Sequence, residues 1–309
     1  MRRRKTARRS TRPQRLRTFI VIMYIQRDGV HLSMSSDSNF PLNDLSSPSG
    51  PSPSGLPPEQ IGTPEEKPAP VENPLWSGWV VLLIAALTFL LPSVFLLATV
   101  LITRKFFHPV ATFNPVMALV AEFAGYIAVL CFMVMFIEGQ YGVPFFRAIS
   151  WNWPRGQWWS LAGVGVILLL VIQGIGHFLP IPKEVPFDKF FGTTRDAYLT
   201  SLFAISFGPF MEEILFRGFL YPVLARRIGM IASIVLTGIA FGLVHGLQLS
   251  FAWGPVLMIA VVGIVLTTVR AVKRSVAASM IVHIAYNFTL TALTFVGTDG
   301  FRHLEKLTQ

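Results

Sequence analysis

The stretch Met211-Glu212-Glu213-Ile214-Leu215-Phe216-Arg217 sets two adjacent carboxylates and an arginine inside sequence that otherwise reads as membrane. Each ionised group at the centre of a bilayer costs about 2.5–3.5 kcal/mol on insertion scales. Three of them so close together insert only if they face one another, other polar groups or water. A functional cavity is therefore expected in preference to a purely structural ion pair. Helical spacing divides the labour. Glu213 and Arg217 are four apart and share a face, so they can pair as a brace. Glu212 is five from Arg217, about 140° around the axis, and is left as the free carboxylate. Pro209 suits the first turn of a helix that restarts after Gly208, which places both carboxylates near a positive helix end.

Two more spans carry groups of matching chemistry. One ends in Phe241-Gly242-Leu243-Val244-His245, and another contains His283-Ile284-Ala285-Tyr286-Asn287, with His283 and Asn287 on one face. A lone intramembrane histidine is more often bonded to a backbone carbonyl than catalytic, but the depths agree. Counted from the basic helix ends on one side, Glu212, His245, His283 and Asn287 lie about 21, 24, 14 and 20 Å deep. A carboxylate and an imidazole around one water form a general base, and a second imidazole and an amide can donate to a developing oxyanion. That is chemistry for amide hydrolysis: Glu212 and His245 activate water, while His283 and Asn287 stabilise the oxyanion. The set Glu212, His245 and His283 equally suits Zn²⁺ with an open fourth position, although no HExxH arrangement is present. The cofactor question therefore stays open between Zn²⁺ and metal-free water activated by glutamate. Glu122, Gln173 and His177 are read as peripheral.

Helices must hold these groups, because lipid cannot satisfy open backbone. The chain is 309 residues, 52% hydrophobic and only 14% charged, against about 25% charged in soluble domains. The expected fold class is all-α, a polytopic transmembrane helical bundle of seven to eight spans: Trp76–Ile102, Pro115–Ile137, Trp158–Leu179, Ala197–Leu224, Ile228–Leu247, Phe251–Val269 and Val276–Val296. The fourth span breaks in two if the chain is interrupted at Gly208-Pro209. Phe (26) and Trp (7) are plentiful, as lipid-facing and interfacial positions favour. The single Cys131 excludes an intrachain disulfide and a cysteine-based metal cluster.

The net charge of +10 is a poor guide to partners, since nine Lys/Arg fall within residues 1–17. This reads as a solvated tail, and no nucleic-acid partner is expected. Residues 1–33 differ in character from the chain beyond Met34, and a mature start at Met34 is expected. From there to about Pro74 the chain is rich in Ser, Pro and Gly and cannot bury a core. The domain reading is a disordered tail over 1–75, amino-terminal spans over 76–196, a core over 197–296 and a short tail over 297–309. Basic loops after spans two, four and six place the amino terminus in the cytoplasm by the positive-inside rule.

Taken together, Glu212-Glu213-x-x-x-Arg217, Phe241-x-x-x-His245 and His283-x-x-x-Asn287 resemble the three motifs of the CAAX protease and bacteriocin-processing family, also called Abi. That family includes the type II CAAX prenyl endopeptidases. The resemblance spans roughly residues 197–296 and implies an all-helical intramembrane endopeptidase, described as a metalloprotease or as a metal-free glutamate protease. It implies membrane lipid and a peptide or protein substrate, prenylated or bacteriocin-like, as partners. The expected location is a prokaryotic cytoplasmic membrane. Rival readings are a proton-coupled transporter using Glu212, His245 and His283 as a relay, and a non-catalytic immunity or scaffold protein.

Overall fold

The computed structural model describes residues 72–106, 114–182 and 184–307. The basic run, the apolar run Phe19–Ile25, the expected start at Met34 and the Ser/Pro-rich tail up to residue 71 lie outside the described residues.

Long apolar runs with few breakers produce helices α1 (Gly78–Phe106), α2 (Pro115–Tyr141), α4 (Trp158–Gly176), α9 (Trp253–Lys273) and α10 (Val276–Gly297). A short α3 (Phe145–Ala148) follows α2. The ends are set by local chemistry. Asn114 Oδ1 accepts from Val116 N and Met117 N to start α2, and Ser275 Oγ accepts from Ala278 N to start α10. Gly142, at φ 66°, lets α2 end in a left-handed residue. Among the described residues no strand occurs, and the bundle is all-α.

The segment 194–228 holds the carboxylates and is the irregular one. It runs as α5 (Thr194–Ile205), α6 (Phe207–Glu213), a π-helical stretch (Ile214–Leu220) and α7 (Tyr221–Ile228). The sequence placed the interruption at Gly208-Pro209. It falls at Ser206, with φ −128° and ψ −89°. Proline crowds the carbonyl four residues before it, here Ile205, so the chain must turn away ahead of Pro209 rather than at it. The π-helical stretch was not expected and has a similar cause. Pro222 has no N–H to give Gly218, and the hydrogen bond at the end of the stretch runs from Tyr221 N to Phe216 O, five residues back.

Six helical segments are long and apolar enough to cross a membrane, among the described residues. This is an integral membrane protein. The fifth expected span, Ile228–Leu247, takes the form of α8 (Met230–Val244), an apolar helix of only 15 residues, about 22 Å long. It is flanked by Gly229 at φ 80° and by the turn after His245.

Packing pairs α1 with α2, α8 with α9 and α4 with α10. Small residues allow the close approach. A Cβ on Gly238 of α8 would lie 2.4 Å from Ile264 Cγ1, and one on Gly165 of α4 would lie 2.4 Å from Val282 O. This is the small-residue contact favoured between helices in lipid. Large apolar side chains such as Leu82, Leu97, Ile167 and Leu170 point outward, as a bilayer rather than water requires.

The two described end segments also pack. Trp76 is only 1% exposed and Pro74 is buried, so packing extends ahead of the first span. After α10 the chain folds back. Thr194 Oγ1 donates to Phe301 O at 2.8 Å, and the Phe301 ring packs on Tyr198 and Phe295.

Candidate active site

The irregular segment carries Glu212 and Glu213 into the bundle at the end of α6. The two side chains diverge. Glu213 is fully buried, and its Oε1 accepts from Arg217 Nη1 at 2.9 Å. Arg217 is also fully buried, so every donor matters. Its Nη2 donates to Gly263 O at 3.0 Å and its Nε to Thr267 Oγ1 at 3.3 Å, both on α9. Its guanidinium lies over the Phe241 ring, 4.5 Å from the centroid. A charge without water is here met by one carboxylate, one carbonyl, one hydroxyl and one aromatic face.

Glu212 points to the two histidines. Its Oε1 lies 3.8 Å from His245 Nε2, and its Oε2 lies 3.6 Å from His283 Nε2. The carboxylate is a quarter exposed, His245 somewhat less and His283 almost fully buried. Both imidazoles spend their other nitrogen on an oxygen. His245 Nδ1 donates to Phe241 O at 2.7 Å, and His283 Nδ1 donates to Glu213 Oε1 at 2.9 Å. These bonds fix ring orientation and turn both Nε2 atoms toward Glu212.

Asn287 is engaged elsewhere. Its Nδ2 donates to Ala204 O at 2.7 Å, a carbonyl released near the end of α5 by the break at Ser206. One of the two amide hydrogens is thereby used. The structure thus brings Glu212, Glu213, Arg217, His245 and His283 together, and sets Asn287 one turn further along α10, against the helix break.

Two participants were named from sequence but not placed in the site. Phe241 is central: its carbonyl orients His245, and its ring contacts His245, His283, Phe216 and Arg217. The four-residue spacing to His245 was the available signal. Glu122, read as peripheral, stands on α2 beside Tyr126, within electrostatic reach of Glu212 and His245. Tyr126 packs over Phe203 and Phe207 on either side of the Ser206 break. Its signal was an ionisable residue in a span without a partner in its own helix. His177 is exposed at the end of α4.

Residues 194–289 match the family model described as type II CAAX prenyl endopeptidase Rce1-like. This segment is similar to that family. It begins at α5 and ends just past Asn287, so the match contains each of the three motifs and the α8–α9 pair that holds Arg217. No curated protein and no solved structure matches the chain. The similarity covers the segment that carries both carboxylates and both histidines, and not the spans before it.

The donor types around Glu212 are those of a zinc site, and each histidine has its outer nitrogen bonded as ligating histidines do. Their spacing does not follow. Among the described residues no group of three or more His, Cys, Asp or Glu side chains is placed to hold a metal ion as it stands.

Proposed function

We propose that the protein hydrolyses a peptide bond within the bilayer, with Glu212 and His245 activating the attacking water. The observation that carries this reading is the carboxylate of Glu212 lying 3.8 Å and 3.6 Å from two Nε2 atoms whose rings are held from behind. These separations are too long for direct hydrogen bonds and suit a bridging water. In the reading, the water oxygen attacks the carbonyl carbon and gives its proton to Glu212, with His245 sharing the charge. The tetrahedral oxyanion is met by His283 and by the second N–H of Asn287. The C–N bond then breaks, and the proton held at Glu212 passes to the departing nitrogen. Donation from His283 Nε2 requires the doubly protonated ring, because Nδ1 already donates to Glu213.

The substrate is a peptide or protein presented from the membrane. An open cleft of about 500 Å³ lined by Phe146, Trp151, Trp153 and Phe210 opens beside α6. Its aromatic walls suit an apolar portion of the substrate, of which a prenyl group is one form and a hydrophobic bacteriocin-like peptide another. The test is cleavage of a panel of prenylated and unmodified hydrophobic peptides by the purified protein and by Glu212→Gln. Cleavage by the first and none by the second supports the reading. Equal cleavage by both overturns it.

A metal-dependent form would use the same groups, since the two Nδ1 bonds leave both Nε2 atoms facing one carboxylate, but its three ligands would have to draw together to meet one ion. Glu212, His245 and His283 would be its ligands. Metal content and activity after chelation separate the two forms.

A further inference from the structure

The π-helical stretch leaves carbonyls without their usual helical donors, and what takes them lies outside the segment. Tyr221 N bonds Phe216 O, so Arg217 O loses the donor it would have in an α-helix. Arg270 of α9 supplies one instead: its Nε donates to Arg217 O at 3.2 Å. Phe219 O accepts from Trp76 Nε1 at 3.3 Å, and the Trp76 ring packs on Phe219 with centroids 4.6 Å apart. Both clamps converge on residues 72–76, the segment just before α1. Arg270 is 1% exposed, and both of its terminal nitrogens meet the carboxylate of Glu72, at 2.9 and 3.3 Å. Arg226 of α7 donates to Pro74 O at 3.0 Å and to Trp76 O at 3.4 Å.

We propose that Glu72 and Trp76 are positioning residues for the candidate active site, strapping the π-helical stretch in the register that aims Glu212 and Glu213. The path is short and continuous. Glu72 holds Arg270, Arg270 holds the Arg217 carbonyl, and the Arg217 side chain holds Glu213, which orients His283. Without Glu72, the Arg270 guanidinium is a buried charge that has lost its counter-ion, which the interior does not tolerate. It must turn toward the polar cavity of about 170 Å³ bordered by Glu72, Asn73, Ser150 and Arg270, and in turning it releases the Arg217 carbonyl. The strap is set by the sequence immediately ahead of the first span, so the amino-terminal segment acts on the site from a distance along the chain of nearly 200 residues.

The activity arm of this proposal rests on the hydrolytic reading, but the exchange arm does not. Hydrogen–deuterium exchange on the full chain in lipid nanodiscs is the primary measurement, on wild type, Glu72→Ala, Glu72→Asp and Trp76→Phe. The expected result for Glu72→Ala is exchange faster by about tenfold or more at residues 214–221, with α4 and α10 unchanged. Glu72→Asp should recover part of the protection. Trp76→Phe keeps an aromatic ring and loses the Nε1 donor, so it should loosen residues 219–223 alone and serves where Glu72→Ala fails to insert. Unchanged exchange at 214–221 in variants that frayed only at the start of α1 would overturn the proposal. So would an equal rise in every helix, which marks a general anchor. On a cleaved peptide, kcat should fall about tenfold with KM within about twofold. If the wild type cleaves no peptide, the hydrolytic reading fails while the exchange result still decides the strap.

Discussion

Glu213 Oε1 serves two partners, Arg217 and His283, while its Oε2 is buried without a hydrogen-bond partner among the described residues. Its removal therefore has two effects. Glu213→Ala strands a fully buried guanidinium, which costs about 3–5 kcal/mol, and it frees the His283 ring. The expected outcome is a large loss of thermal stability in detergent together with loss of activity. Glu212 touches neither Arg217 nor a backbone donor at hydrogen-bond distance, so Glu212→Gln should insert and melt like wild type. Its cleavage rate should fall by about 10²–10⁴-fold or more, the usual worth of a general base. A Glu213→Ala protein that was fully stable and inactive would exchange the roles of the two carboxylates.

Among the helices, the one on which the site depends is not regular. Pro222 cannot donate to Gly218, and the stretch before it widens. Pro222→Ala restores an N–H at that point and favours α-helical register through 214–222. The chain then rotates relative to α9, and Arg217 leaves Gly263 O and Thr267 Oγ1. Activity should drop while helix content by circular dichroism stays the same, and exchange at 214–222 should slow. This element also shows how far the sequence could be read. Four-residue spacing was enough to face Glu213 toward Arg217, because α6 and the first turn beyond it keep both on one side. The same rule could not foresee that His283 would span both carboxylates, which depends on how α10 packs across the break. Asn287 shares a face with His283 by spacing, yet its amide is drawn to Ala204 O by a helix end that hydropathy does not reveal. Proline marked the interruption only to within two residues, because its steric effect falls on the turn before it.

Across the bundle, the basic ends of α7 and α9 gather on one side, while α1 carries Arg104 and Lys105 toward the other. Asn152 Nδ2 donates to Arg274 O, Ser275 Oγ to Asn152 O, and Lys273 Nζ to Gln157 Oε1. Arg226 joins the same end through Pro74 and Trp76. The positive-inside rule would place this end in the cytoplasm, which labelling can test. Single cysteines at Arg155 and Lys273, on a Cys131→Ser background, should react with an impermeant thiol reagent only after the cytoplasmic side is opened. A cysteine at Asp299 should react from the other side in intact cells. The reverse pattern would turn the protein over.

The 15 residues of α8 have a consequence for the lipid. A helix about 22 Å long faces a hydrocarbon layer of about 30 Å. The mismatch is met by thinning the bilayer around α8 or by letting headgroups sink toward its end. Thinning at the end that carries His245 would shorten the route from bulk water to the Glu212 carboxylate. On the hydrolytic reading, the thickness of the surrounding membrane would then set the rate. Reconstituted in lipids of increasing acyl length at equal protein incorporation, the protein should cleave peptide fastest in the thinnest bilayers that still hold α1 and α2 and lose turnover steadily as the chains lengthen.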